Sequence, residues 1–165
     1  MTDLTPLMPA AAELIRLCTE RKLTIATAES CTGGLIAGAL TEIAGSSAVV
    51  DRGFVTYSNA AKTAMLGVPA ALIERVGAVS KEVALAMVVG ALAKSDADLA
   101  VAVTGIAGPG GGSAEKPVGL VHFAAMRRGG QAVHESHVFS GRDRSGVRHD
   151  TVANALAMLR RLGEG

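Results

Sequence analysis

Apolar residues fall in two rhythms along this chain. From Ala10, Leu14, Ile15 and Cys18 share one face of a helical repeat, with Glu13, Arg16, Glu20 and Arg21 opposite. That spacing predicts an amphipathic helix after a loose lead-in over 1–9, which carries Pro6 and Pro9. Leu23–Ala28 predicts a first strand, and Thr32 to Ile43 a second helix that stops at Ala44-Gly45. Ala48–Tyr57 reads as a second strand. Ala60–Leu66 reads as a short helix, capped by Ser58 or Asn59 and closed by Gly67. Pro69–Val76 suits another short helix with Pro69 near its first turn, and Ser80–Lys94 a long one with Ser80 as cap. Asp98–Val103 predicts a strand. Val118–Met126 and Ala132–Phe139, joined by Arg127-Arg128-Gly129-Gly130, predict an antiparallel hairpin, and Ser145–Leu162 the last helix.

Helices that alternate with strands and then close on a hairpin predict an α/β fold. The expected form is a three-layer α/β/α sandwich with a mixed, mostly parallel sheet of about five strands, one of them antiparallel. The 165 residues are expected to form a single domain over 1–165. In such a sheet, the loops at the carboxyl ends of parallel strands line the ligand crevice. Glu29–Gly34, Tyr57–Lys62 and Thr104–Gly112 are therefore expected to converge.

Composition narrows the picture. Hydrophobic residues make up 49% but aromatic ones only 2%, so the core must be built from Ala, Val, Leu, Ile and Met through many small contacts. A net charge of +1, no basic block and no Trp speak against a nucleic-acid partner. No apolar run reaches the roughly 18 residues of a membrane span, so no membrane partner is expected and a cytoplasmic location is. Cys18 and Cys31 are too few for a disulfide framework or a zinc site, and His122, His134, His137 and His149 lack ligand spacing. No metal or cofactor is expected. High apolar content at modest length, and a hairpin that can leave a sheet edge open, predict a homo-oligomer, a dimer in the simplest case.

Candidate chemistry centres on Ala28-Glu29-Ser30-Cys31-Thr32-Gly33-Gly34. Between a strand and a helix, this turn should present free N–H groups and the positive end of a helix dipole. Ser30 at its tip either caps the helix or attacks a substrate; Ser and Thr are preferred caps, and local pattern alone favours the cap. Cys31 beside it, at a helix N-terminus, would have a favoured thiolate, which leaves a thiol-dependent enzyme open. Lys62 falls in the first turn of its helix, where the dipole disfavours the ammonium, and a neutral lysine can serve as base to a serine hydroxyl. Tyr57 can donate a hydrogen bond or stack on a ring. The loop Thr104–Gly112 lacks the Lys-Ser/Thr pair of a phosphate loop but can still offer N–H groups to one phosphate. Arg142, Arg144 and Arg148 supply cations near the last helix.

Four stretches in order resemble the C-terminal domain of the CinA family, the competence/damage-inducible proteins that include stand-alone nicotinamide mononucleotide amidohydrolases. They are Ala28–Gly34, Gly53–Lys62, Gly77-Ala78-Val79-Ser80 and Thr104-Gly105-Ile106-Ala107-Gly108-Pro109, with Val147-Arg148 and Thr151 also fitting. The resemblance covers the chain from about Leu7. It implies deamidation of nicotinamide mononucleotide to nicotinate mononucleotide and ammonia, without metal, on a pyridine mononucleotide substrate. It implies Ser30 as nucleophile, Lys62 as its base and Tyr57 assisting. Thr32, Gly33 and Gly34 would supply oxyanion N–H groups, and Thr104, Gly105 and Gly108 would face the substrate together with Arg144 or Arg148. Gly141-Arg142-Asp143-Arg144 is one residue longer than the Gly-Asp-Arg of the family, so the choice among Arg142, Arg144 and Arg148 stays open. A non-catalytic nucleotide-binding or regulatory module is the other reading.

Overall fold

The computed structural model describes residues 1–165. Five strands form one sheet in the order β2-β1-β3-β4-β5: β1 (Ile25–Glu29), β2 (Val50–Val55), β3 (Leu99–Gly105), β4 (Leu120–Arg127) and β5 (Val133–Val138). β1 lies parallel to both β2 and β3, while β4 pairs antiparallel with β3 and with β5. Only β4 therefore runs against the others, as the hydrophobic pattern predicts. Six helices flank the sheet: α1 (Met8–Arg21), α2 (Leu35–Thr41), α3 (Asn59–Leu66), α4 (Ala70–Val76), α5 (Lys81–Ala93) and α6 (Arg144–Glu164).

The two faces of the sheet differ in side-chain size because strand residues alternate. One face presents Ile25, Leu99, Val101, Val103, Val121 and Phe123 to α1, α2 and α6. The other presents Ala26, Ala28, Ala100, Ala102 and Ala124 to Leu66 of α3, Ile73 of α4 and the apolar side of α5. An alanine face lets α5 sit close to the strands, so an interior almost without aromatic rings still packs densely. β5 forms one open edge of the sheet, with Val133 and Val138 exposed at its ends.

Most predicted starts hold. Ser58 caps α3 by accepting from Ala61 N–H at 3.0 Å, Ser80 caps α5 from Val83 N–H at 3.3 Å, and Asp143 caps α6 from Gly146 N–H at 2.7 Å. Pro69 stands at the N-cap of α4, one place before its first turn. Two expectations need correction. The lead-in is not loose: Thr5–Leu7 forms a single 3-10 turn and α1 starts at Met8, with Leu7 buried. Pro6 and Pro9 occupy first-turn positions, where a missing N–H costs nothing. And α2 starts at Leu35 rather than Thr32, its N-cap being Gly34 with φ 101°.

Candidate active site

β1 and β3 are neighbours, yet the chain leaves β1 for β2 on one side before it returns to β3 on the other. At such a reversal the loops part and leave a crevice at the carboxyl ends of the strands. A cavity of about 280 Å³ lies there, lined by Ser30 and Cys31 after β1, Tyr57 after β2, Gly105–Gly108 with Gly110 and Gly111 after β3, and Arg144 of α6. Two of the three expected loops thus meet over it, and the third sends Tyr57.

Lys62 does not line the cavity; it stands behind Ser30. Its stem runs through the core, only 1% of the residue is exposed, and Nζ donates to Ser30 Oγ and to Thr56 O, both at 2.9 Å. Burial is the main cause that lowers its pKa from the usual 10.5; the neighbouring Cys31 works weakly the other way. The fold thus weakens the ammonium chiefly by desolvation, whereas the sequence suggests a helix dipole as well.

Cys31 takes the opposite course from the one its position suggests. Burial pushes its thiol up to about 12, so the thiolate is disfavoured. The Glu29 carboxylate adds to this effect of burial, and it occupies the positive end of α2, which starts further along the chain than expected. Oε1 of Glu29 accepts from Thr32 Oγ1 at 2.7 Å and from Ile36 N–H at 2.8 Å, and Oε2 from Ala37 N–H at 3.0 Å and Thr27 Oγ1 at 3.1 Å. Neither Ser30 nor Thr32 caps the helix. Sequence reasoning gave Glu29 no role; its one signal is an acidic residue ending a buried strand.

The turn between Ser30 and Gly34 is held at both ends. Ser30 N–H donates to Val103 O at 3.1 Å, and Gly33 N–H to Ser30 O at 3.1 Å. Gly33 and Gly34 adopt φ of 60° and 101°, a region open to glycine at little cost. With Gly33 N–H engaged, the N–H groups of Cys31, Thr32 and Gly34 are the ones without an acceptor.

The arginines separate cleanly. Arg144 lines the cavity, and its guanidinium donates to Gly108 O and to Tyr57 Oη, each at 2.8 Å. Arg142 pairs with Asp150 at 2.8 Å, away from the cavity. Arg148 turns to the backbone of the Ser30 turn and does not line the cavity. Thr104 is also behind the wall: it is buried, and its hydroxyl donates to Ala78 O at 2.8 Å. Gly105 and Gly108 line the cavity as expected; Thr32, Gly33 and Gly34 do not. His122 and His134 lie 3.0 Å apart on β4 and β5, both lowered in pKa first by burial, and no three ligating side chains gather anywhere in the chain.

A family model described as the CinA C-terminal domain matches residues 8–162. The nicotinamide-nucleotide amidohydrolase PncC of Escherichia coli K12 is 48% identical, over 96% of this chain and 95% of that protein. A CinA-like protein of Mycolicibacterium vanbaalenii is 57% identical over 83% of this chain, which spans only 32% of that longer relative. The crystal structure of the competence/damage inducible protein CihA from Agrobacterium tumefaciens superposes with a TM-score of 0.93 at 58% identity, covering 94% of each chain.

Proposed function

The chain belongs to the CinA C-terminal domain family, and on that footing we propose that it hydrolyses nicotinamide mononucleotide to nicotinate mononucleotide and ammonia. The observation that carries the mechanism is the 2.9 Å approach of a buried Lys62 Nζ to Ser30 Oγ at the floor of a cavity. Neutral Lys62 takes the Ser30 proton as Oγ attacks the carboxamide carbon. The negative oxygen that forms is met by the unpaired N–H groups of the Ser30 turn, first by that of Cys31, the residue of the three that lines the cavity. Lys62 then protonates the departing amine, ammonia leaves, and water cleaves the resulting ester to free Ser30 and the acid. Tyr57 and Arg144, joined by their hydrogen bond, form the wall beside the nucleophile. Arg144 and the N–H groups of the glycine-rich loop suit the phosphate of the substrate.

Purified protein should release ammonia from the mononucleotide. Ser30→Ala should lower turnover by roughly a thousandfold or more, the usual scale for a lost nucleophile. Cys31→Ala should keep most of it, because a thiol raised to about 12 is protonated at working pH. Loss of turnover on Cys31→Ala with an active Ser30→Ala would reverse the assignment; binding of mononucleotide without turnover would favour a regulatory module. No helix is long and apolar enough to cross a membrane. A cytoplasmic homodimer through the open edge of β5 is part of this proposal, and light scattering that reads a single 16.6 kDa chain at micromolar concentration rejects the dimer.

A further inference from the structure

We infer that Arg148 is a positioning residue, which locks the peptide planes next to the nucleophile and does not bind the substrate. The inference rests on Ser30 as nucleophile. From the second turn of α6, Arg148 Nε donates to Cys31 O at 3.2 Å and Nη2 to Thr32 O at 3.0 Å, while Nη1 reaches Thr2 Oγ1 at 3.5 Å. One planar fork thus grips two consecutive carbonyls that directly follow Ser30.

The consequence follows from peptide geometry. In a planar trans peptide, C=O and N–H point to opposite sides. A guanidinium that holds Cys31 O turns the N–H of Thr32 away from itself. The same guanidinium, by holding Thr32 O, turns the N–H of Gly33 away, and that N–H donates to Ser30 O at 3.1 Å. The Cys31–Thr32 and Thr32–Gly33 peptide planes, one residue beyond Ser30, are then fixed from outside the cavity. The other bonds on this stretch are few: Leu35 N–H also reaches Thr32 O at 3.3 Å and Thr32 Oγ1 reaches Glu29 Oε1 at 2.7 Å, but only Arg148 holds Cys31 O. α2 has not yet begun, and the two glycines that follow, with φ of 60° and 101°, give the backbone wide freedom. The charge of the fork also polarises both peptides, which strengthens their N–H groups as donors. A lysine cannot do this: its ammonium is a point charge without two parallel, fixed N–H directions. The cavity already has its own arginine in Arg144, whereas Arg148 does not line it.

The test compares Arg148→Gln and Arg148→Lys with Arg144→Gln. Steady-state deamidation is measured on nicotinamide mononucleotide and on nicotinamide riboside, which lacks the phosphate. In parallel, the rate at which a small fluorophosphonate labels Ser30 is read by intact mass, which needs no amide substrate. For both Arg148 variants kcat should fall roughly 10- to 100-fold on either substrate, the scale of a slightly misplaced reacting group, with KM within about twofold. Labelling should slow by a similar factor, and millimolar guanidinium should restore part of it in Arg148→Gln. Arg148→Lys keeps stem and charge, so its loss cannot be read as a failure to fold once circular dichroism and melting match the parent protein. A rise in KM confined to the phosphorylated substrate, with labelling unchanged, overturns the inference. So does full activity in Arg148→Lys. If the parent protein labels at Ser30 but deamidates neither substrate, and the Arg148 variants label slowly, the positioning role stands and the proposed reaction falls.

Discussion

Lys62 is a cation by default, held where a cation is poorly solvated, and both its chemistry and its energetics follow from that. Burial lowers its pKa from 10.5. The deprotonated form is the base, so turnover should rise as pH climbs through the lowered value and then level off. Stability follows the same proton. Between the lowered pKa and 10.5, the unfolded chain binds a proton that the folded one does not, so stability rises with pH across that window. Lys62→Met removes the cost of the buried ammonium; it should abolish turnover yet melt at an equal or higher temperature, with the gain shrinking as pH approaches 10.5. Lys62→Arg should be inactive as well, because guanidinium stays charged. Kinetics and melts of the two variants across pH check this; an active Lys62→Arg enzyme with the parent's pH profile excludes the base role. At this scale the sequence was legible where a motif named the residue. Ser30 and Lys62 stand in two stretches of the family resemblance, and the structure joins them. Arg148 was named as well, but as a substrate contact; its grip on Cys31 O and Thr32 O was not legible, because those partners are 117 and 116 positions away and are backbone oxygens, which no side-chain pattern reveals.

At the scale of elements, periodicity and caps placed every strand and α-helix; the errors sit at starts without a local capping side chain, at α1, where first-turn prolines looked like a loose lead-in, and at α2, whose cap comes from elsewhere in the chain. α3, α5 and α6 carry Ser58, Ser80 and Asp143 at their own starts and were read to within a residue. α2 has no capping side chain of its own; Glu29 serves it from the end of β1, seven and eight residues before the N–H groups it accepts. All four partners of Glu29 are donors, which suits a carboxylate and no other side chain of its size. Glu29→Gln turns an NH2 group onto at least one of them. We expect a loss of about 1–3 kcal/mol, read as a lower urea midpoint with an unchanged slope. An unchanged midpoint would mean that the cap contributes nothing. Burial, which a local pattern does not show, is the main reason the Cys31 thiol rises instead of falling, and the Glu29 carboxylate on the helix end adds to it.

For the whole molecule, strand order decides where function sits. The hydrophobic pattern sets the number and kind of strands, but beyond the β4–β5 hairpin it carries no information on which of them are neighbours. That β1 lies between β2 and β3 is what makes Ser30 and the glycine-rich loop share one cavity. The lack of large rings has a consequence of its own, and it is optical. The chain has no Trp and one Tyr, and that Tyr57 is 60% exposed on the cavity wall, hydrogen-bonded to Arg144. Nearly all near-ultraviolet emission of the protein therefore arises from one ring at the site, with no background from the core. Mononucleotide added to Ser30→Ala should quench or shift that emission with a saturable dependence, and Tyr57→Phe should leave almost no signal to titrate. The protein thus carries a built-in, label-free probe of occupancy, at the cost of being nearly invisible to the absorbance by which proteins are ordinarily quantified.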